Sequence, residues 1–164
     1  MLTKFRNREG MTLAEILVAV AIIGIGLVAL AAVIPLASYG MQEGNQLSTA
    51  TFLANQRLEQ VRNATWTASP VADNIGISPS STTPPQSGAT VTFPDESPLA
   101  APYGGYTRTV RVTDCGVGGG CSGITNAGLR QVTVSVRYTP LTGVGQAASG
   151  TTKSAVVTMY IAQR

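Results

Sequence analysis

One carboxylate in this sequence stands where physical chemistry does not favour it. Glu15 falls near the start of MTLAEILVAVAIIGIGLVALAAVI, Met11 to Ile34, and from Ile16 to Ile34 nineteen consecutive residues carry no polar side chain. A charged acid within a membrane-spanning helix costs about 3 kcal/mol on insertion scales, so such residues are paired or functional. The run contains no lysine or arginine. A cationic partner must therefore come from outside it.

The other groups able to do chemistry are sparse. The 164 residues include no histidine, which removes the commonest general base and metal ligand. Asp95 and Glu96 are adjacent in a stretch that reads as loop; such neighbours are solvated in most settings, and one could help bind a cation. Asp73 and Asp114 are isolated in sequence, and the serines have only scattered lysines and carboxylates as candidate bases. Cys115 and Cys121 form an even pair in DCGVGGGCSG, as expected of an exported domain with a disulfide. Two sulfurs without histidine do not complete a zinc shell, so no metal is expected. The glycines of GVGGG lack the lysine and following helix of a phosphate loop. Asn63-Ala64-Thr65 fits a glycosylation sequon, at a predicted helix end. These absences argue against an enzyme, and no cofactor is expected.

The elements around Glu15 explain it better. As a helix rising about 1.5 Å per residue, Met11 to Ile34 reaches about 36 Å, enough to cross a hydrocarbon core of about 30 Å. Upstream lies MLTKFRNREG, a short basic leader ending in Gly10. Of eleven basic and eight acidic side chains, Lys4, Arg6, Arg8 and Glu9 belong to it, leaving eight and seven in the rest. The pI near 9.1 is thus mostly the leader's, and nucleic-acid binding is not supported. Basic flanks stay cytoplasmic, which puts the residues beyond the span outside the inner membrane. An ordinary signal peptide cut after Ala29-Leu30-Ala31 is the rival reading. It fits neither Glu15 at the entrance of the apolar run nor the continuation of that run through Ile34.

A basic leader ending in glycine, a hydrophobic residue, and then Thr-Leu-x-Glu opening an apolar helix resembles the N-terminus of type IV prepilins and pseudopilins. The further run ILVAVAIIGIGLVALAAV is most similar to type IV pilus modification proteins and to the I-type minor pseudopilin of type II secretion. The resemblance implies that prepilin peptidase cuts between Gly10 and Met11 and N-methylates Met11. Glu15 becomes the fifth residue of the processed chain and serves assembly, pairing with the amino terminus of an adjacent subunit. Implied partners are the major pilin or pseudopilin, other minor pilins, the inner-membrane assembly platform and, before assembly, the lipid bilayer.

Beyond the span, Pro35 is expected to break or kink the helix, with Gly40 and Gly44 loosening the turns that follow. Leu47, Ala50, Ala54, Leu58 and Val61 recur at spacings of three and four, one face of an amphipathic helix ending near Asn63. Residues 65–105, rich in Ser, Thr, Pro and Gly, read as a long irregular connection holding a short strand at Ala89–Phe93. Trp66 reads as a plug between the helix end and the sheet. Tyr106–Thr113, Leu129–Tyr138 and Lys153–Ala162 alternate with period two, each with one apolar face. Together they predict an α+β domain of pilin-like fold, a long helix covering one face of an antiparallel sheet. The expected divisions are a cleaved leader at 1–10, a transmembrane or filament-core helix at 11–34, its amphipathic half at 35–64 and an extracytoplasmic loop and sheet at 65–164. The function these features imply is a minor pilin or pseudopilin, first an inner-membrane protein with its C-terminal domain in the periplasm, then part of a filament. A binding module held permanently in the membrane, an adhesin or receptor, explains the sheet but not Gly10-Met11 or Glu15.

Overall fold

A computed structural model describes residues 10–117, 120–140 and 151–164. Residues 1–9 of the expected leader, with Gly118 and Gly119 of the cysteine loop, lie outside the described residues. Two compact units meet at Gly40–Met41.

Helix α1 runs from Leu13 to Asn63, 51 residues, with Glu15 in its first turn and Arg62 in its last, the charge order that a helix dipole favours. The single long helix ending at Asn63 is as expected, and Pro35, where a break or kink was expected, lies inside it without interrupting it. Proline removes a single backbone donor, and the Ala-, Ile- and Leu-rich sequence on its N-terminal side sustains the remaining helical bonds. In the first unit, every described side chain from Met11 to Pro35 is exposed.

In the second unit α1 turns Ala50, Leu53, Ala54, Leu58 and Val61 into the core. Leu47, expected in this stripe, is instead 46% exposed. At its level the helix meets the sheet through more polar side chains: Glu43 pairs with Lys153, and the Tyr106 hydroxyl donates to the Gln46 carbonyl at 3.5 Å.

Four short strands precede the main sheet. β1 (Trp66–Thr67) pairs with β2 (Ala72–Asp73), and β3 (Gln86–Ser87) pairs with β4 (Thr90–Val91). The strand expected at Ala89–Phe93 is thus only the β4 pair. Nor is the 65–105 connection peripheral: Ile75 and Leu99 are buried in the core, and Trp66 beside them is the expected plug. Gly76 makes this path possible. Its φ is +72°, and a Cβ there would sit 2.5 Å from the Gln86 carbonyl carbon and oxygen, so a larger residue fails on both counts.

The main sheet is β5 (Tyr106–Asp114), β6 (Leu129–Tyr138) and β7 (Lys153–Ala162), antiparallel in that order. Val110 faces Val134 and Val134 faces Val157; Val112 faces Val132 and Val132 faces Met159. Val110, Val112, Val132, Val134 and Val136 are fully buried, each stabilising the fold by about 1.5 kcal/mol or more. Cys115 and Cys121 are joined by a disulfide between β5 and β6, and both are buried.

Two arginines share the apolar face, and both are held by carboxylates from the connection. Arg130 donates to both Asp73 oxygens at 2.7 and 2.9 Å, and its guanidinium lies 4.2 Å over the Trp66 ring. Arg108 donates to Glu96 at 2.6 Å, to the Leu53 carbonyl at 3.0 Å and to Gln56 at 3.3 Å. It therefore joins connection, sheet and helix backbone at one point. Burial works to raise the Asp73 carboxyl, but bonds from Arg130, Gly76 and Ile75 outweigh it and leave its pKa below the ordinary value. Glu96 is lowered chiefly by its hydrogen bond from Arg108, against the opposing effect of burial.

Both carboxylates are lower in the folded chain than in the unfolded one. Their contribution is complete above the unfolded values near pH 4 and is lost as pH falls through the folded ones. The full-length chain in detergent micelles, followed by Trp66 near-ultraviolet dichroism, should lose thermal stability between about pH 5 and pH 3. Asp73→Asn should lower the melting temperature at pH 7 and shrink that acid loss. An acid loss of the same size in both proteins would remove Asp73 from the account.

Candidate functional site

The chemistry-bearing residues singled out from the sequence fall into separate places. Cys115 and Cys121 are spent on their disulfide. Asp95 and Glu96 diverge: Arg111 donates to both Asp95 oxygens, at 2.7 and 2.8 Å, while Glu96 takes Arg108. Asp114 accepts the Gly116 N–H at 2.8 Å, as Asp73 accepts those of Ile75 and Gly76 at 3.1 and 2.8 Å, each closing a local turn. Asn63 ends α1. Among the described residues, no group of three or more Cys, Asp or Glu side chains is placed to hold a metal. A groove of about 490 Å³ on the outer sheet face is lined by Ser81, Thr82, Thr109, Arg111, Thr133, Ser135, Arg137 and Val156. It brings no base to a nucleophile.

What remains is the start of α1. Thr12 precedes the first helical residue, and its carbonyl accepts the N–H groups of Glu15 at 3.1 Å and Ile16 at 3.2 Å. The Thr12 hydroxyl accepts the Glu15 N–H at 3.3 Å, and the Glu15 carboxylate accepts the Thr12 N–H at 3.4 Å. This reciprocal pair is a capping box, which satisfies two donors that a helix start leaves open. Its sequence signal is Thr-Leu-Ala-Glu before an apolar run, which the anomaly of a charge in that run obscures. The cap gives Glu15 a local hydrogen bond without cancelling its charge. Among the described residues Glu15 joins no ion pair.

Gly10 and Met11 lie just before the cap, and Met11 is 70% exposed. Gly10 has no positive φ, and among the described residues nothing stands within 4 Å of the place a Cβ would take. The chain's own fold does not require glycine there. The helix that follows is long and apolar enough to cross a membrane. Thus a glycine with open space about it, an exposed Met11 and a capped acid stand at the head of an apolar helix.

Comparison with known families finds the prokaryotic N-terminal methylation motif over residues 5–31, the stretch that contains Gly10, Met11, Thr12 and Glu15. No curated protein and no solved structure matches the chain.

Because Gln can replace Glu in a capping box, Glu15→Gln should keep both reciprocal bonds and Glu15→Val should lose the one to the Thr12 N–H. Amide exchange at Thr12 and through the first turn, in the full chain in micelles, should stay near wild type for Gln and rise for Val. Equal exchange in the two variants would mean that the cap does not order this turn.

Proposed function

We propose that this type IV pilin-like chain is a minor pilin or pseudopilin, a structural subunit made in the inner membrane and assembled into a filament. The methylation motif supports processing by prepilin peptidase and assembly with other pilins. The observation that carries the finer reading is Glu15, an acid at the head of an exposed apolar helix whose charge has no counterion among the described residues. Cutting between Gly10 and Met11 creates a cationic amino terminus, which N-methylation of Met11 leaves charged. In an apolar environment that cation and the Glu15 carboxylate of a neighbouring subunit relieve one another's desolvation.

The other residues take supporting parts. Gly10 is there for the peptidase, since the local fold leaves its identity free. The apolar face of Met11 to Ile34 exchanges lipid for the like helices of a filament. Pro35 lies inside α1 as a single missing donor, a point of local weakness rather than an interruption. The domain from residue 41 onward is the part presented beyond the membrane. Its ion pairs hold the fold, and its role is structural rather than enzymatic.

Mass spectrometry of the membrane or filament fraction should find a chain that begins at Met11 and is N-methylated. An N-terminus at Ala32, or an intact leader, would overturn the reading. Glu15→Val and Glu15→Gln should both be cut after Gly10, and both should fall at least ten-fold in the sheared filament fraction. The glutamine variant is decisive, because it keeps the cap and lacks only the charge. Recovery of either variant at wild-type levels would end the pairing role assigned to Glu15.

A further inference from the structure

The sheet has one edge that the fold covers and one that, among the described residues, has no backbone partner. Along the outer edge of β5, Ser78 donates to the Val112 carbonyl at 2.8 Å, Glu96 and Arg108 exchange two bonds of 2.9 Å, and Leu99 donates to the Tyr106 carbonyl at 2.9 Å. The even-numbered residues of β5 therefore turn their backbone groups outward and the odd-numbered ones face β6. Backbone groups alternate along a strand. Carried through Thr109–Ser135 and Val134–Val157, this alternation turns the odd residues of β7 toward β6. The N–H and C=O of Ser154, Val156, Thr158 and Tyr160 point away from the sheet. Among the described residues, none of these groups meets another backbone partner; only beyond the strand does Arg164 bond to Trp66 and Ala68.

Natural sheets blunt such an edge with charge, proline, a bulge or shortness. Apart from Lys153 at its first position, which pairs with Glu43, β7 has none of these. It pairs with β6 over ten consecutive residues without a bulge, and from Ser154 to Ala162 it carries neither charge nor proline. Val156 is 57% exposed and Tyr160 44%.

We propose that the outer edge of β7 accepts an extended, uncharged, β-branched segment of a different subunit as the fourth strand of the sheet. The proposal rests on the filament reading above and names the surface through which one partner docks. A row of N–H and C=O pairs repeating every second residue is matched by extended polypeptide. The uncharged flanks Val156, Thr158 and Tyr160 favour a strand without charges opposite them. A second copy of this chain is disfavoured as occupant. Antiparallel self-pairing would turn the two chains head to tail, whereas copies anchored through the same N-terminal segment in one membrane keep one sense.

Thr158→Pro tests this directly, because the donor it removes is one the sheet does not use, and an edge strand tolerates such a proline. Thr158→Val is its control. It also loses the hydroxyl contact with Thr133, at 3.3 Å, but keeps the N–H. With both expressed as full-length chains in their own cells, each should be cut and should form the Cys115–Cys121 disulfide. The proline variant should then fall at least ten-fold in the filament fraction while the valine variant stays within two-fold of wild type. In parallel, a photoreactive p-benzoylphenylalanine in place of Tyr160 should cross-link to alternate residues of one uncharged segment in another subunit. Equal recovery of the two variants, adducts joining only two copies of this chain, or adducts to lipid alone would each overturn the proposal. If the proline variant lacks its disulfide, the cross-link map decides. If the wild-type chain is absent from filaments, the reading of the preceding subsection falls, and the same map from membranes still decides the edge.

Discussion

The burial of α1's short apolar stripe on the valine face of the sheet is the contact from which the second unit is built. Ala50, Leu53, Ala54, Leu58 and Val61 are all buried there. The long Arg108 side chain reaches from the sheet to the helix and donates to the Leu53 carbonyl at 3.0 Å. A guanidinium on the apolar face would otherwise be a severe desolvation cost. Here it is tied to a helix carbonyl, a glutamine and Glu96, and Arg130 is held likewise by Asp73 over Trp66. The arrangement explains why the 65–105 connection follows a defined path. It must deliver Asp73, Ile75, Glu96 and Leu99 to fixed points under and beside the sheet.

That dependence decides what could be read from the sequence. Period-two alternation located β5 to within one residue and gave the bounds of β6 and β7, because each strand buries one face. The helix end near Asn63 and the stripe from Ala50 onward were equally plain. Leu47 misled because spacing alone does not say where the sheet stops, and at that level Glu43 and Lys153 meet instead. The single long helix was legible too, while Pro35 does not interrupt it, because one missing donor is few against a helix of 51 residues. The connection was the least legible part. Ile75 and Leu99 reach the core through a positive-φ glycine and through irregular backbone pairings, Ile77 with Gln86 and Leu99 with Tyr106, whose contacts have no periodic signature.

The candidate site shows the reverse pattern. Glu15 was conspicuous from composition alone, and Gly10-Met11 from the residues around it, since both are anomalies against an apolar background. What composition concealed was the modest local task that Glu15 performs in capping α1 with Thr12. The same carboxylate thus has an intramolecular hydrogen bond and, among the described residues, no counterion. The pairing proposed for it rests on the second property alone.

Asp95 and Glu96 are consecutive residues drawn to opposite faces of one strand, Asp95 to Arg111 on the solvent side and Glu96 to Arg108 on the core side. The segment they occupy is riveted through the sheet rather than laid against it. It cannot roll about its own axis without tearing one rivet, nor slide along β5 without straining both. Force entering the domain along that strand is therefore shared by the two rivets and the backbone bonds between them, loaded together in shear. In the filament proposed above, that seam would resist tension as a unit, built from two adjacent acids whose pairing looked unremarkable in sequence.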